Sequence, residues 1–195
     1  MEENLSLKDK LQNRVSYYAN KAYASTVLFI LSFAESFFFP IPPDVLLVPL
    51  VLVGAKKWWY YASVTTIGSL LGGIVGYVIG FYFFDLFGEQ IVAFYGLEEE
   101  VSRVQTWYET YAFWIIFTAG FTFIPYKIFT VTAGLFGVNI IAFIVASVIG
   151  RGARFFLIAY LLDRYNSYLK DTIYRYFNIL SVILIVGIVF VLALI

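Results

Sequence analysis

The chain of 195 residues contains no cysteine and no histidine. The absence of cysteine excludes disulfide bonds and thiolate chemistry. The absence of histidine excludes a Ser-His-Asp triad and removes the commonest ligand of zinc sites. We therefore expect no metal and no cofactor, and we do not expect an enzyme.

Charge is also scarce, because only 13% of the residues are charged and the 13 acidic and 13 basic residues cancel. A soluble domain is usually about a quarter charged and about half apolar, whereas 62% of this chain is hydrophobic. No basic face for nucleic acid is present. The composition predicts a multi-pass membrane protein that forms one membrane domain over residues 1–195.

Proline is rare and unevenly placed. Four of the five prolines fall within ten residues of one long apolar stretch, residues 26–54, and the fifth lies in a second stretch, residues 111–137. Proline interrupts a helix, and interrupted backbone at membrane depth must be buried in protein or line a wet cavity. Helix breaks next to a transport site are therefore predicted at Pro40, Pro42, Pro43 and Pro125.

Two paths through the membrane are open for residues 26–54. The stretch either crosses once as a kinked helix or enters, turns at the prolines and leaves on the same side. Lys21 precedes it, and Lys56 and Lys57 follow it. Basic residues concentrate on the cytoplasmic side, so both ends are expected there. This favours a re-entrant hairpin and a cytoplasmic N-terminus.

The same rule orders the remaining segments into an all-α membrane fold. An amphipathic surface helix is predicted over residues 5–22, and an acidic external connector with a second surface helix over residues 85–109. Residues 111–137 are expected to form a second re-entrant hairpin that faces the first. Three transmembrane helices complete the fold, at residues 58–84, 139–162 and 178–195.

An internal repeat agrees with this arrangement. A shift of 83 positions places Pro42 on Pro125, Asp44 on Lys127 and Gly54 on a second glycine. Repeat one covers residues 5–84 and repeat two residues 89–163, with residues 178–195 as an extra span. Inverted repeats in transporters hold the site at their interface. Chance matching in a biased composition is the alternative.

Two acids flank the first break. A carboxylate at membrane depth costs about 2.5–3.5 kcal/mol on insertion scales, so Glu35 and Asp44 are candidates for proton coupling or for lining a headgroup path. The alternative for Asp44 is a helix-capping role, because it directly follows Pro43.

Three bases complete the candidate site. Arg151 and Arg154 share one helix face, and their forked donors bind carboxylates or phosphate. Lys127 lies in the second break, where it could pair with Asp44 or attract an anion. Structural pairing among these charges, and a lysine that snorkels to the interface, are the alternatives.

Four glycines recur every fourth residue along the first predicted span. They are Gly68, Gly72, Gly76 and Gly80. Small residues at this spacing allow helices to approach closely. Packing within one chain is favoured over a homodimer seam.

Residues 35–44 (ESFFFPIPPD) and 125–134 (PYKIFTVTAG) resemble the DedA family, the SNARE-associated or VTT-domain superfamily, and are most similar to its YqaA-like branch. The resemblance covers roughly residues 25–165. It implies a bacterial inner-membrane protein with two facing re-entrant hairpins. It also implies proton-dependent translocation of undecaprenyl phosphate or another phospholipid. The family's important acids match Glu35 and Asp44.

One family feature is absent. The Arg-x-x-Pro-x-x-Arg pattern of the second hairpin is replaced by Thr122 and Ile128 around Pro125. Either Lys127 and the two arginines of residues 151–154 take over the headgroup role, or the substrate differs. The leading hypothesis is a proton-coupled flippase for an anionic lipid. The alternatives are a non-transporting membrane-homeostasis or assembly factor and, least favoured, a membrane lipid enzyme.

Overall fold

The computed structural model describes residues 23–54, 56–96, 98–122 and 124–165. Within these ranges the chain forms seven α-helices and one π-helical turn, and it contains no strand. The all-α expectation is confirmed for this part of the chain. The predicted surface helix at residues 5–22 and the predicted span at residues 178–195 lie outside the described residues.

The helices are α1 (Tyr23–Glu35), α2 (Asp44–Val53), α3 (Trp58–Phe83), α4 (Glu89–Tyr95), α5 (Glu98–Phe121), α6 (Tyr126–Leu135) and α7 (Ile140–Arg164). A π-helical turn, Phe84–Gly88, joins α3 to α4. Two of the described helices, α3 and α7, are long and apolar enough to cross a membrane. They coincide with the predicted spans at residues 58–84 and 139–162.

The first apolar stretch is interrupted at three of its four prolines, whereas Pro49 lies inside α2. Helix α1 ends at Glu35 and α2 begins at Asp44, so Pro40, Pro42 and Pro43 fall in the break between them. Pro43 occupies the N-cap position of α2, and no side chain caps this helix. The interpretation of Asp44 as a helix cap is therefore wrong, because Asp44 is already the first helical residue.

The second apolar stretch is interrupted just before α6, which starts directly after Pro125. The acidic connector contains helix, as predicted, but its second helix does not end within it. Helix α5 begins within it, at Glu98, and continues to Phe121, with non-helical backbone angles only at Tyr111 (φ −125°, ψ 17°). Three glutamates in its first turn favour a helix start, because their charge complements the helix dipole. The predicted connector thus contains α4 and the first half of α5.

Helix α1 runs alongside α3 in the same direction. The Ser32 hydroxyl donates a 2.7 Å hydrogen bond to the Thr65 carbonyl, 33 residues later. Near the start of both helices, Lys56 Nζ donates to Ser25 Oγ at 3.4 Å. The chain has therefore returned to the level of the start of α1 by Lys56, so α2 runs back along the direction from which α1 came.

Helices α5 and α6 form a pair similar to that of α1 and α2. The Tyr108 and Thr132 hydroxyls share a 2.7 Å hydrogen bond, and the rings of Tyr108 and Phe136 stack with centroids 5.4 Å apart. The end of α6 thus lies beside the middle of α5, and α6 runs back along it. Both α2 and α6 are ten residues long, and each is followed by a glycine with positive φ, Gly54 at 69° and Gly137 at 61°.

Helices α3 and α7 lie antiparallel at the centre. The rings of Trp58 and Tyr160 meet near one end, with centroids 5.6 Å apart, and those of Tyr77 and Phe143 meet nearer the other end, at 5.2 Å. Helix α3 packs against α1 and α6, whereas α7 packs against α5 and α2. Each long helix therefore contacts elements from both halves of the chain.

The apolar core is divided into two clusters. One contains Leu47, Tyr61 and Phe155, and the other contains Tyr126 and Phe143, all with no exposed surface. Ser69 of α3 and Arg151 of α7 contact Ser36 and Glu35, at the first helix break.

The glycine ladder of α3 packs inside the chain. A Cβ atom on Gly72 would overlap the Phe33 carbonyl of α1, and one on Gly80 would overlap the Val131 carbonyl of α6. Gly68 likewise faces α1, and Gly76 faces Thr130 of α6. The close approach of small residues thus joins α3 to both broken segments. These glycines are not available for a homodimer seam.

We predict that Gly72→Ala lowers the free energy of unfolding by about 1–3 kcal/mol, because the new methyl group forces α1 and α3 apart. Gly152→Ala in α7 is the matched control, since its Cβ would meet Thr66 Cγ2 at an ordinary 3.7 Å. This control should be neutral or stabilising by up to about 1 kcal/mol, the helix preference of alanine over glycine. Thermal unfolding in detergent measures both, and equal melting temperatures for the two variants would contradict the packing described here.

Candidate functional site

The two helix breaks meet at the centre of the protein. Lys127, in the first turn of α6, donates from Nζ to the Phe39 carbonyl at 3.5 Å. One turn later, Thr130 Oγ1 donates to the Ser36 carbonyl at 3.1 Å. Helices α2 and α6 begin at these breaks, and α1 and α5 end at them. Two positive and two negative ends of helix dipoles therefore lie close together, and the side chains set the charge of the site.

A buried ion pair joins α1 to α7. The Nη2 atom of Arg151 donates to Oε2 of Glu35 at 2.5 Å. The side chains are only 3% and 14% exposed, respectively. Glu35 is the last residue of α1, so the end of this helix at the first break places its carboxylate against the middle of α7.

A second ion pair joins α2 to α7 one turn further on. Arg154 Nη2 donates to Asp44 Oδ2 at 2.7 Å, with side chains 8% and 20% exposed. Arg154 Nη1 also donates to the Thr122 carbonyl at 2.7 Å. One guanidinium therefore contacts both breaks. Of the partners left open for Asp44 by the sequence, the structure selects Arg154 and not Lys127.

Arg151 is held by more than its carboxylate. Its Nε atom donates to Ser69 Oγ at 2.6 Å, and Ser69 shares a 2.8 Å hydrogen bond with Ser36. The rings of Tyr126 and Phe155 lie 4.8 and 4.7 Å from its Cζ atom. A guanidinium near aromatic faces is stabilised by cation–π attraction. Sequence reasoning missed both serines, because a hydroxyl within an apolar helix carries no signal of its partner.

A cavity of about 250 Å³ lies between the breaks. Its wall contains all five predicted charged residues, which are Glu35, Asp44, Lys127, Arg151 and Arg154. It also contains all four prolines at which breaks are predicted, Pro40, Pro42, Pro43 and Pro125. Two apolar side chains, Phe39 and Ile124, complete it. The cavity is large enough for a phosphate-sized group and presents forked donors of the kind that bind one.

The fold and this site define an all-helical membrane protein in which two interrupted helical segments enclose a cavity with paired charges. The sequence matches the VTT domain over residues 41–164. This match includes Asp44, Lys127 and both arginines of the site, and it begins after Glu35.

Two bacterial relatives match along most of their length. An uncharacterized protein of Haemophilus influenzae is 37% identical over 149 residues, which cover 76% of this chain and 77% of the relative. An uncharacterized protein of Histophilus somni is 33% identical over 151 residues, which cover 77% and 78%. No solved structure matches the chain. The chain belongs to the VTT-domain family, which is the DedA family, and the resemblance noted in its sequence is confirmed.

We predict that Arg151→Met lowers the free energy of unfolding by about 3–5 kcal/mol, because it leaves Glu35 buried without its cationic partner. Arg103→Met is the matched control. Arg103 pairs with Glu99 at 3.1 Å, but these side chains are 67% and 83% exposed, and such pairs contribute about 0–1 kcal/mol. Thermal unfolding in detergent compares the two, and an equally small loss in both would contradict the burial of the Glu35 pair.

Proposed function

We propose that this protein translocates an anionic lipid across the bacterial inner membrane in a proton-coupled manner. The substrate class is a lipid phosphate such as undecaprenyl phosphate or a phospholipid. One observation carries the proposal: five charged residues converge on a single cavity at the meeting point of two interrupted helical segments. Charged groups inside a membrane domain mark ion and substrate pathways.

The short helices of the first broken segment, and the direction of α6 in the second, support two re-entrant hairpins. Helices α1 and α2 contain 13 and 10 residues, and each is shorter than the roughly 20 residues that one crossing requires. The Lys56–Ser25 contact brings both ends of this segment to one end of α3. Helix α6 runs parallel to α3 whereas α2 runs against it, so the second hairpin enters from the opposite side. The positive-inside rule then makes the N-terminus cytoplasmic.

The ion pairs offer a route for coupling. A carboxylate and a phosphate compete for the same forked donors of an arginine. When Glu35 or Asp44 takes up a proton, its arginine loses a charged partner and can bind the headgroup. When the headgroup leaves, the carboxylate returns to the arginine and its proton is released. No covalent bond is made or broken in this cycle, so the proposal is transport and not enzymatic catalysis.

A second function is favoured by the same contacts. Each arginine already binds a carboxylate, as expected of charges that only hold helices together. The protein would then be a non-transporting membrane-homeostasis or assembly factor. In a transporter it should matter which helix carries the acid and which carries the base. In a structural role only the presence of an ion pair should matter.

The transport proposal predicts lipid flipping in liposomes that contain the purified protein. A fluorescent phosphatidic acid should reach the opposite leaflet faster when a pH gradient is applied, as measured by dithionite quenching. Glu35→Gln and Asp44→Asn should each slow the gradient-driven rate by about tenfold or more, which corresponds to about 1.4 kcal/mol. Glu99→Gln, an exposed acid outside the cavity, should keep the normal rate. Unchanged rates in both cavity variants would remove the proposed acid roles.

Reversal of one pair separates the two functions. Asp44→Arg alone should destabilise the protein, because it places two cations together, and the added Arg154→Asp should restore most of the melting temperature. Under the transport proposal the double variant should still flip lipid at least about tenfold more slowly than the native protein, because the cation now lies on α2 and the acid on α7. Full recovery of flipping would instead show that this pair is structural, and no flipping by the native protein would favour the non-transporting factor.

A further inference from the structure

The charges that line the cavity do not balance. Three are positive, on Lys127, Arg151 and Arg154, and two are negative, on Glu35 and Asp44. Among the described residues, the cavity therefore carries one positive charge in excess. A net charge inside a membrane domain is costly, so a ligand with one negative charge would remove this imbalance.

The excess lies on Lys127. The Nη2 atoms of Arg151 and Arg154 each bind one of the two carboxylates. The Nζ atom of Lys127 instead contacts an uncharged acceptor, the Phe39 carbonyl, at 3.5 Å. This distance is at the long limit for a hydrogen bond, so an anion can take the place of the carbonyl at little cost.

We propose that a lipid phosphodiester, with one negative charge, binds at Lys127 without proton uptake. A lipid phosphomonoester, with two negative charges, binds only when Asp44 takes up one proton from solvent and releases Arg154 to the phosphate. This inference rests on the proposed function, because it assigns the headgroup class and the proton count of the same cavity.

Asp44 rather than Glu35 is the proton acceptor because its ion pair is the more open to solvent. The side chains of Arg154 and Asp44 are 8% and 20% exposed, whereas those of Arg151 and Glu35 are 3% and 14% exposed. Arg154 also donates to the Thr122 carbonyl and lies over the Phe155 ring. The titratable and charged groups around Asp44 come from four helices. They are Arg151 and Arg154 on α7, Lys127 and Tyr126 on α6, and Glu35 on α1. Beyond the cavity lies Tyr61 of α3, which belongs to the same apolar cluster as α2.

The experiment is calorimetric titration of the full chain in detergent with two short-chain lipids. Phosphatidylglycerol supplies the diester and phosphatidic acid supplies the monoester. At about pH 8.5 the monoester is doubly charged, because its second pKa in water is about 6. Titrations in two buffers of different ionisation enthalpy give the number of protons taken up. We expect no proton with phosphatidylglycerol and one proton per molecule with phosphatidic acid.

Variants decide where the proton goes. Asp44→Asn should bind phosphatidic acid with no proton uptake, because Arg154 no longer has a charged partner to lose. If this variant still takes up one proton, the proton resides on the phosphate or on another group, and the inference is overturned. Lys127→Gln should weaken phosphatidylglycerol binding by at least about tenfold, the loss expected for one charge-assisted hydrogen bond. Lys57→Gln, an exposed lysine before α3, should bind as the native protein does.

The outcomes separate this inference from the function on which it rests. Equal proton counts for the two lipids, in a protein that still flips lipid, would overturn the inference and leave transport in place. No binding of either lipid, together with no flipping, would overturn the proposed function. Glycerol 3-phosphate carries the same monoester without acyl chains. Its binding with an affinity equal to that of phosphatidic acid would overturn the assignment to a lipid.

Discussion

The structure depends on the pairing of two guanidinium groups inside the central helix α7. Arg151 and Arg154 are one turn apart on one face, and both are nearly buried. Unpaired cations at this depth would be strongly unfavourable. The two carboxylates that pair with them must therefore also lie about one turn apart. If one continuous helix carried both acids, it would have to place them on one face. The chain instead ends α1 at Glu35 and starts α2 at Asp44, so each acid approaches its arginine from a separate helix.

The packing around α3 makes this convergence possible. Glycines along α3 allow the backbones of α1 and α6 to come close on two sides, and this closeness brings the hydroxyls of Ser36 and Ser69 within hydrogen-bonding distance. Because Ser69 also accepts from Arg151, the small residues of α3 and the charges of α7 are parts of one arrangement. The ion pairs of the site are thus supported by helix packing.

Much of this could be predicted from the sequence, because the strongest constraints are local. Proline is unfavourable inside a helix, so both breaks could be placed within a few residues, although Pro49 lies inside α2. Charge is rare in the apolar stretches, and this rarity is enough to indicate all five charged residues of the cavity. The partner of Asp44 could not be predicted. The repeat makes Lys127 the equivalent of Asp44, but equivalent residues of a repeat contact each other only where they lie on its axis. The helix within the acidic connector was predicted, but its continuation to Phe121 was missed, since the step from an acidic to an apolar run suggested a boundary.

Arg154 binds Asp44 with one terminal nitrogen and the Thr122 carbonyl with the other. A guanidinium is planar and rigid, so its two nitrogens turn as a single body. A displacement of Asp44 therefore also changes the orientation of Arg154 Nη1, the donor that binds the Thr122 carbonyl in the other half of the chain. The two halves of the chain are therefore mechanically coupled through one side chain, and a movement of either half is transmitted to the other.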